Sequence, residues 1–109
     1  MSRNFAGLAL AAAAVLALPL AANAADPIKI GFSMELTGSL ASGGTQSLRA
    51  MQIWETDINA KGGLLGRPVK LVYYDDQSSP ANVPGIYTKL LDIDKVDLLV
   101  SSYGTNMIA

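Results

Sequence analysis

The 109-residue sequence contains no cysteine and no histidine, and these absences exclude several classes of protein. Without cysteine the chain has no disulfide bond and no thiolate metal site. Without histidine it has no catalytic triad that uses an imidazole base. Only 16% of the residues are charged and the formal net charge is −1, so the basic excess typical of proteins that bind nucleic acids or anionic membranes is missing. Much ordinary enzyme chemistry and a nucleic-acid partner are therefore disfavoured.

Apolar residues are concentrated at the amino terminus. A single basic residue, Arg3, precedes an apolar, alanine-rich run from Phe5 to about Leu20, which is followed by the small residues around Ala24. This arrangement is typical of a secretory signal peptide with an A-x-A cleavage site. A membrane anchor is the alternative, but a spanning helix needs roughly 20 strongly apolar residues. We predict a signal peptide at residues 1–24 that is cleaved after Ala24, leaving residues 25–109.

The remainder alternates between strand and helix patterns. Apolar runs predict strands at residues 28–34, 69–74 and 96–101, and amphipathic stretches predict helices at residues 45–60 and from Ser79 or Asn82 to about Asp94. The order β-α-β-α-β predicts an α/β fold with a parallel sheet and right-handed crossovers. If the helices cover opposite faces, the strand order is 2-1-3, which is the opening of a doubly wound fold.

A ligand site is expected where the loops after the first and third strands diverge, at residues 37–44 and 102–106. Residues 38–45 (GSLASGGT) follow the phosphate-loop pattern except that Gly44 stands in place of the lysine, which disfavours a nucleotide enzyme. The glycines and the start of the helix instead suit an anionic group such as a carboxylate. Hydroxyl groups in the second loop suit a small polar ligand with an apolar part.

Several further polar and aromatic residues are assigned structural roles. We predict that Asp75 and Asp76 cap the second helix and are neither metal ligands nor a catalytic pair. Either Trp54 or Glu55 lies on the apolar stripe of the first helix, and we assign Trp54 to it, which predicts a position in the core. Nothing in the chain is expected to activate a serine, because it has no histidine and its lysines are predicted to be surface groups. The sequence therefore predicts a binding protein that is not an enzyme, with no cofactor and no metal site.

Three segments together resemble a known family: IKIGFSMELTGSLASGG, DINAKGGLLGRPVKLVYYDDQSSP and DLLVSSYGTNMIA. They are similar to the amino-terminal lobe of type I periplasmic binding proteins of the leucine/isoleucine/valine-binding kind. The resemblance extends from Ile28 to Ala109 and implies the substrate-binding component of a branched-chain amino-acid-type ABC uptake transporter. It further implies a periplasmic location, a small amino acid or related carboxylate or amide as ligand, and ABC permease subunits as partners.

The resemblance also implies which residues contact the ligand. In the family, the loop after the third strand meets the ligand's carboxylate, and by position this loop corresponds to Ser102, Tyr103, Gly104 and Thr105. The loop after the first strand often places an aromatic side chain near the ligand. The matching place is about Gly43, beside Ser42, so that contact is absent or altered here. Amides, urea and aromatic acids therefore remain open as ligands beside branched-chain amino acids.

The length of the chain leads to a further expectation. Family members are several times longer and consist of two lobes joined by a hinge, so residues 25–109 are expected to be the amino-terminal part of an incomplete lobe. Such a fragment carries half a binding site and is expected to be marginally stable and to bind ligand weakly or not at all. A ligand-sensing lobe of a receptor, an exported α/β enzyme and a non-functional truncated remnant are the alternatives.

Overall fold

The computed structural model describes residues 25–109, and the predicted signal peptide with its cleavage site lies outside the described residues. The elements are β1 (Ile28–Met34), α1 (Ala41–Ala60), β2 (Val69–Asp75), α2 (Val83–Asp92), β3 (Leu98–Leu99) and α3 (Thr105–Ile108), with one 3₁₀ turn at Pro80–Asn82. None of the helices in this part of the chain combines the length and the apolar character needed to span a membrane.

The three strands form one parallel sheet in the order β2-β1-β3, which confirms the predicted topology. β1 is central and pairs with β2 along its whole length, from Ile28 opposite Val69 to Met34 opposite Asp75. The third strand was predicted too long, because only two of its residues pair with β1 as a regular strand. Asp97 still donates its N–H to the carbonyl of Lys29 in β1 at 2.9 Å, but the N–H of Val96 donates to the carbonyl of Leu90 at 3.1 Å.

The two faces of β1 are covered by different helices. The apolar core lies on the α1 side, where Phe32 is fully buried and stacks on Tyr73 with the ring centroids 5.3 Å apart. On the opposite face, a methyl group added at Gly31 would lie 3.0 Å from Val96 and 3.1 Å from Leu90 of α2. The buried members of the core cluster are Ile28, Ile30, Phe32, Met34, Leu48, Val69 and Leu71.

Helix α1 begins at Ala41, four residues before the predicted start. The N–H of Gly44 already donates to the carbonyl of Leu40 at 3.0 Å, in the hydrogen-bond pattern of an α-helix. Gly44 is buried against the end of β1, since a methyl group there would overlap with the carbonyl group of Glu35. The glycine-rich composition thus reflects close packing of the helix start against the strand, and not a loop.

The inward stripe of α1 contains Glu55 where Trp54 was expected. Leu48 is buried, Met51, Glu55 and Ile58 are half-buried, and Trp54 is 40% exposed. The prediction that Trp54 lies in the core is therefore wrong. The reason is a polar contact, because the carboxylate of Glu55 accepts a hydrogen bond of 2.6 Å from the backbone N–H of Leu71 in β2.

Helix α2 follows the 3₁₀ turn without interruption. Ser79 precedes the turn in extended conformation and Asn82 precedes α2, so each of the two predicted starts marks the beginning of a helical element. Val83 is helical, with φ −61° and ψ −48°, although the residue before a proline, here Pro84, usually avoids this geometry. In the first turn of a helix a proline is well tolerated, because the missing N–H would have no partner there.

Candidate functional site

The loop after β3 meets the start of α1, next to the loop after β1. The side chain of Tyr103 lies against Gly43, where an added methyl group would be 2.6 Å from the phenol oxygen and two ring carbons. Gly104 is next to Leu40, because a methyl group there would lie 3.4 Å from Leu40 Cδ1. The carboxyl ends of β1 and β3 therefore lead to one junction, at the place that the topology predicts.

Ser42 and Gly43, predicted to lie in the first loop, belong to the first turn of α1. This position is a correction, and its cause is the early start of the helix. No side-chain hydrogen bond caps the helix, because Leu40 stands at the N-cap position. The positive end of a 20-residue helix therefore lies at the junction with its first-turn N–H groups uncapped by a side chain.

The four predicted residues of the second loop differ in their surroundings. Tyr103 is 44% exposed, whereas Ser102 is 5% exposed and its Oγ has no hydrogen-bond partner within residues 25–109. Gly104 has φ +91°, a backbone conformation that side-chain-bearing residues rarely adopt. Thr105 was predicted to lie in a loop, but it is the first residue of α3, so that assignment is corrected.

Ser102 is directed to a different neighbourhood from Tyr103. It lines a cavity of about 260 Å³ together with Val83, Tyr87 and Met107, between α2 and the segment after β3. Tyr103 and Gly104, in contrast, contact the start of α1. The structure thus brings Gly43, Tyr103 and Gly104 together, while it places Ser102 beside α2.

Sequence reasoning missed Glu35, which follows β1 directly. Its side chain is fully buried, and neither carboxylate oxygen has a hydrogen-bond partner within the described part of the chain. Burial raises the pKa of Glu35 above its ordinary value of 4.5, and the backbone N–H groups of Glu35 and Tyr103 oppose this shift only in part. The negative charges of Asp76 and Asp75 raise the pKa further. The only sequence signal was an acidic residue at the end of an apolar run.

Asp75 holds the loop after β1 in place. Its carboxylate accepts hydrogen bonds from the backbone N–H groups of Leu36, Thr37 and Gln77 at 2.8–3.2 Å and from the Thr37 hydroxyl at 2.7 Å. Although burial alone raises the pKa of Asp75, these hydrogen bonds together lower it below 3.8. The acceptor sites of Asp75 are therefore occupied by the chain itself.

Asp76 and Ser78 connect the turn after β2 with the end of β1 and with the loop that follows β1. Asp76 is fully buried and accepts hydrogen bonds from Ser33 Oγ at 2.5 Å and from the N–H of Ser78 at 2.9 Å. Ser78 Oγ donates to the carbonyl of Thr37 at 2.7 Å and accepts from the N–H of Leu40 at 3.0 Å. The prediction that the two aspartates cap the second helix is wrong, because their side chains bind the turn after β2 and the end of β1.

The acidic side chains were also compared with the requirements of a metal site. Within residues 25–109, no group of three or more acidic side chains is placed to hold a metal ion. What the junction offers is hydrogen-bond donors, an exposed aromatic ring and a helix start, a combination that suits noncovalent binding of a small polar molecule.

Comparison with known proteins gives a consistent result. Residues 27–109 match the family described as periplasmic binding protein. An amino acid binding protein of Pseudomonas aeruginosa is 35% identical over 96 residues, and the Leu/Ile/Val-binding protein of Escherichia coli K12 is 31% identical over 68 residues. These alignments cover 88% and 62% of this chain and 25% and 18% of the two relatives.

A solved structure agrees with the sequence matches. The branched-chain amino acid transporter substrate binding protein of Streptococcus pneumoniae, in complex with isoleucine, superposes with a TM-score of 0.72 at 34% identity. The superposition covers 75% of this chain and 24% of that one, so the chain spans about a quarter of the length of this structure and of the Pseudomonas aeruginosa relative. The sequence match over residues 27–109 and the shared fold show that the chain belongs to the periplasmic binding protein family.

Proposed function

We propose that the chain is the first-lobe part of the substrate-binding component of a branched-chain amino-acid-type ABC uptake transporter. In this proposal the signal peptide is cleaved after Ala24, and the protein acts in the periplasm and delivers its ligand to ABC permease subunits. Membership of the family and the binding functions named for the relatives support this role. The ligand is a small amino acid or a related carboxylate or amide.

The junction of Gly43 with Tyr103 is the observation that carries the proposal. It lies at the carboxyl ends of two adjacent parallel strands, where α/β proteins of this topology bind ligands. The uncapped start of α1, at Ser42 and Gly43, offers backbone N–H groups to a carboxylate. Tyr103 and Gly104 lie on the other side of this helix start. Ser102 and Thr105 enter the proposal only as members of the same loop, because Ser102 faces α2.

The proposed role is binding without catalysis, and the state of the acidic groups near the junction supports it. The carboxylate of Asp75 accepts four hydrogen bonds from the chain, and Asp76 accepts two. Glu35 is buried beyond the reach of solvent. A general base must reach the proton that it removes, and none of these three groups is available to do so.

The proposal is tested by following backbone amide resonances of the chain that begins at Ala25 during a titration with L-isoleucine. We expect saturable shifts at Gly43, Tyr103 and Gly104, with a dissociation constant of about 1 mM or weaker because one lobe supplies part of the contacts. Isoleucinol, which lacks the carboxylate, is the matched control ligand and is expected to cause smaller shifts. Saturable shifts confined to other regions would contradict the proposal, and the absence of any shift would contradict ligand binding by residues 25–109 on their own.

A further inference from the structure

We propose that Tyr103 determines which ligands the junction accepts, and that residue 43 is a glycine because the Tyr103 ring occupies the space beside it. This inference rests on the proposed function and names a specificity determinant within the same site. In this inference Tyr103 contacts the side group of the ligand, whereas the N–H groups at the start of α1 bind its carboxylate.

The first step is the fit between the two residues. A methyl group on Gly43 would lie 2.6 Å from Cε1, Cζ and Oη of Tyr103, closer than real Cβ atoms approach other atoms. Gly43 itself belongs to a regular helix and is not among the residues with positive φ, so its backbone does not require glycine. The absence of a side chain therefore serves the approach of the ring.

The second step is the contrast between the fixed backbone and the exposed ring of Tyr103. Its neighbour Ser102 and the nearby Met107 are both 5% exposed, and the backbone N–H of Met107 donates to the carbonyl of Gly104 at 3.1 Å. The ring is nevertheless 44% exposed, and its hydroxyl makes no hydrogen bond within residues 25–109. An aromatic side chain held in this way is available to a ligand.

Two tyrosines elsewhere in the fold make structural contacts that Tyr103 lacks. Tyr73 stacks on Phe32, and the hydroxyl of Tyr87 donates to the carbonyl of Val100. Tyr103 does neither, and it is the tyrosine that lies at the junction of the two loops. A phenol ring in this place favours ligands with a flat or apolar side group and limits the room for that group beside α1.

The experiment compares a panel of ligands against variants of the chain that begins at Ala25. The panel contains L-alanine, L-isoleucine, L-phenylalanine and benzoate, and amide resonances report the affinity of each. Tyr103→Ala removes the ring, Tyr103→Phe keeps it, and Gly43→Ala displaces it. Gly85→Ala is the control for adding a methyl group, because Gly85 has open space and no positive φ. Trp54→Ala is the control for losing an exposed aromatic side chain on α1.

The measured quantity is the ratio of the affinity for a ligand with a large side group to the affinity for L-alanine. We expect Tyr103→Ala and Gly43→Ala to change this ratio by about 2- to 10-fold. Tyr103→Phe and both controls should keep the order of affinities. In a variant that combines Gly43→Ala with Tyr103→Ala, the effect of Gly43→Ala should disappear, because the ring that it displaces is no longer present. Equal weakening of all ligands by Tyr103→Ala, or no change, would overturn this inference and leave the proposed function intact. Failure of the unaltered chain to bind any ligand of the panel would overturn this inference together with ligand binding by residues 25–109 on their own.

Discussion

The side-chain amide of Asn59 forms two hydrogen bonds with the backbone of Val69, one to its carbonyl at 2.8 Å and one from its N–H at 2.7 Å. Asn59 lies in the last turn of α1, and Val69 is the first residue of β2, the outer strand of the described sheet. Glu55, one helical turn earlier, accepts from the N–H of Leu71 at 2.6 Å. Side chains of α1 thus satisfy backbone groups that an unpaired edge strand would expose.

We predict that Asn59→Ala lowers the free energy of unfolding by about 1–3 kcal/mol, because two hydrogen bonds to the start of β2 are lost. The freed edge should also promote association between chains. Chemical denaturation measures the first effect and light scattering measures the second.

Gln46→Ala is the matched control for Asn59→Ala, since Gln46 is an exposed residue of the same helix. It should change the free energy of unfolding by less than about 0.5 kcal/mol. A similar, small effect for both variants would show that the edge contacts of Asn59 contribute nothing to stability.

Whether a feature of this fold could be predicted depends on how far apart in the sequence the residues are whose contact produces it. Strand order and the bounds of β1 follow from local apolar runs and from the right-handed connection rule. The inward position of Glu55 depends on a backbone N–H sixteen residues away, which the apolar periodicity of a helix does not contain. Hydrophobicity alone therefore favoured Trp54.

The start of α1 could not be predicted for the same reason. Gly43 and Gly44 belong to a segment with the composition of a loop, but each glycine is explained by a neighbour distant in sequence or across the fold: Tyr103 and Glu35. The sequence correctly predicted that the strands before the two loops of the junction are neighbours in the sheet, because the order of the elements determines the strand order. The side-chain contacts within that junction, including the burial of Glu35, depend on packing that no local pattern shows.

Glu35→Gln should alter the pH dependence of stability. The pKa of Glu35 is raised above 4.5 in the folded chain, so between 4.5 and the folded pKa the native state binds more protons than the unfolded state. In this window the stability of the unaltered chain falls as pH rises. Glutamine does not ionise, so the variant should lack this fall. Between acid and neutral pH, the variant should therefore lose less stability than the unaltered chain.

The measurement is the free energy of unfolding of both proteins as a function of pH, from about pH 4 upward, because the fall begins at the ordinary pKa of a glutamate. Asp57→Asn, at an exposed position of α1, is the control for removing one acidic charge. If Glu35→Gln and the unaltered chain show parallel curves, the carboxyl group of Glu35 is not held by burial in its protonated form.

Asp75→Asn should destabilise the chain at neutral pH by about 1–2 kcal/mol, because an amide nitrogen replaces one of the two oxygens that accept hydrogen bonds from the loop after β1. The pKa of Asp75 is lowered below 3.8, so its contribution is fully present above pH 3.8 and is lost as pH falls through the folded pKa. The variant should therefore show a weaker loss of stability in acid.

Amide hydrogen exchange gives the local readout for Asp75→Asn. The N–H groups of Leu36 and Thr37 should exchange faster, while those at the centre of β1 keep their protection relative to global unfolding. Unchanged exchange at Leu36 and Thr37 would contradict the assignment of Asp75 as the residue that holds this loop.

Gly44→Ala and Gly85→Ala should have opposite effects although both glycines lie in helices. At Gly44 the added methyl group would overlap with the backbone carbonyl group of Glu35, which cannot move without displacing the end of β1. Overpacking of this kind costs about 1–3 kcal/mol. At Gly85 the methyl group meets no atom within 4 Å, and alanine stabilises the helix by about 0.5–1 kcal/mol relative to glycine. Denaturation midpoints of the two variants measure both effects, and a stabilising Gly44→Ala would mean that α1 does not pack on β1 as closely as described.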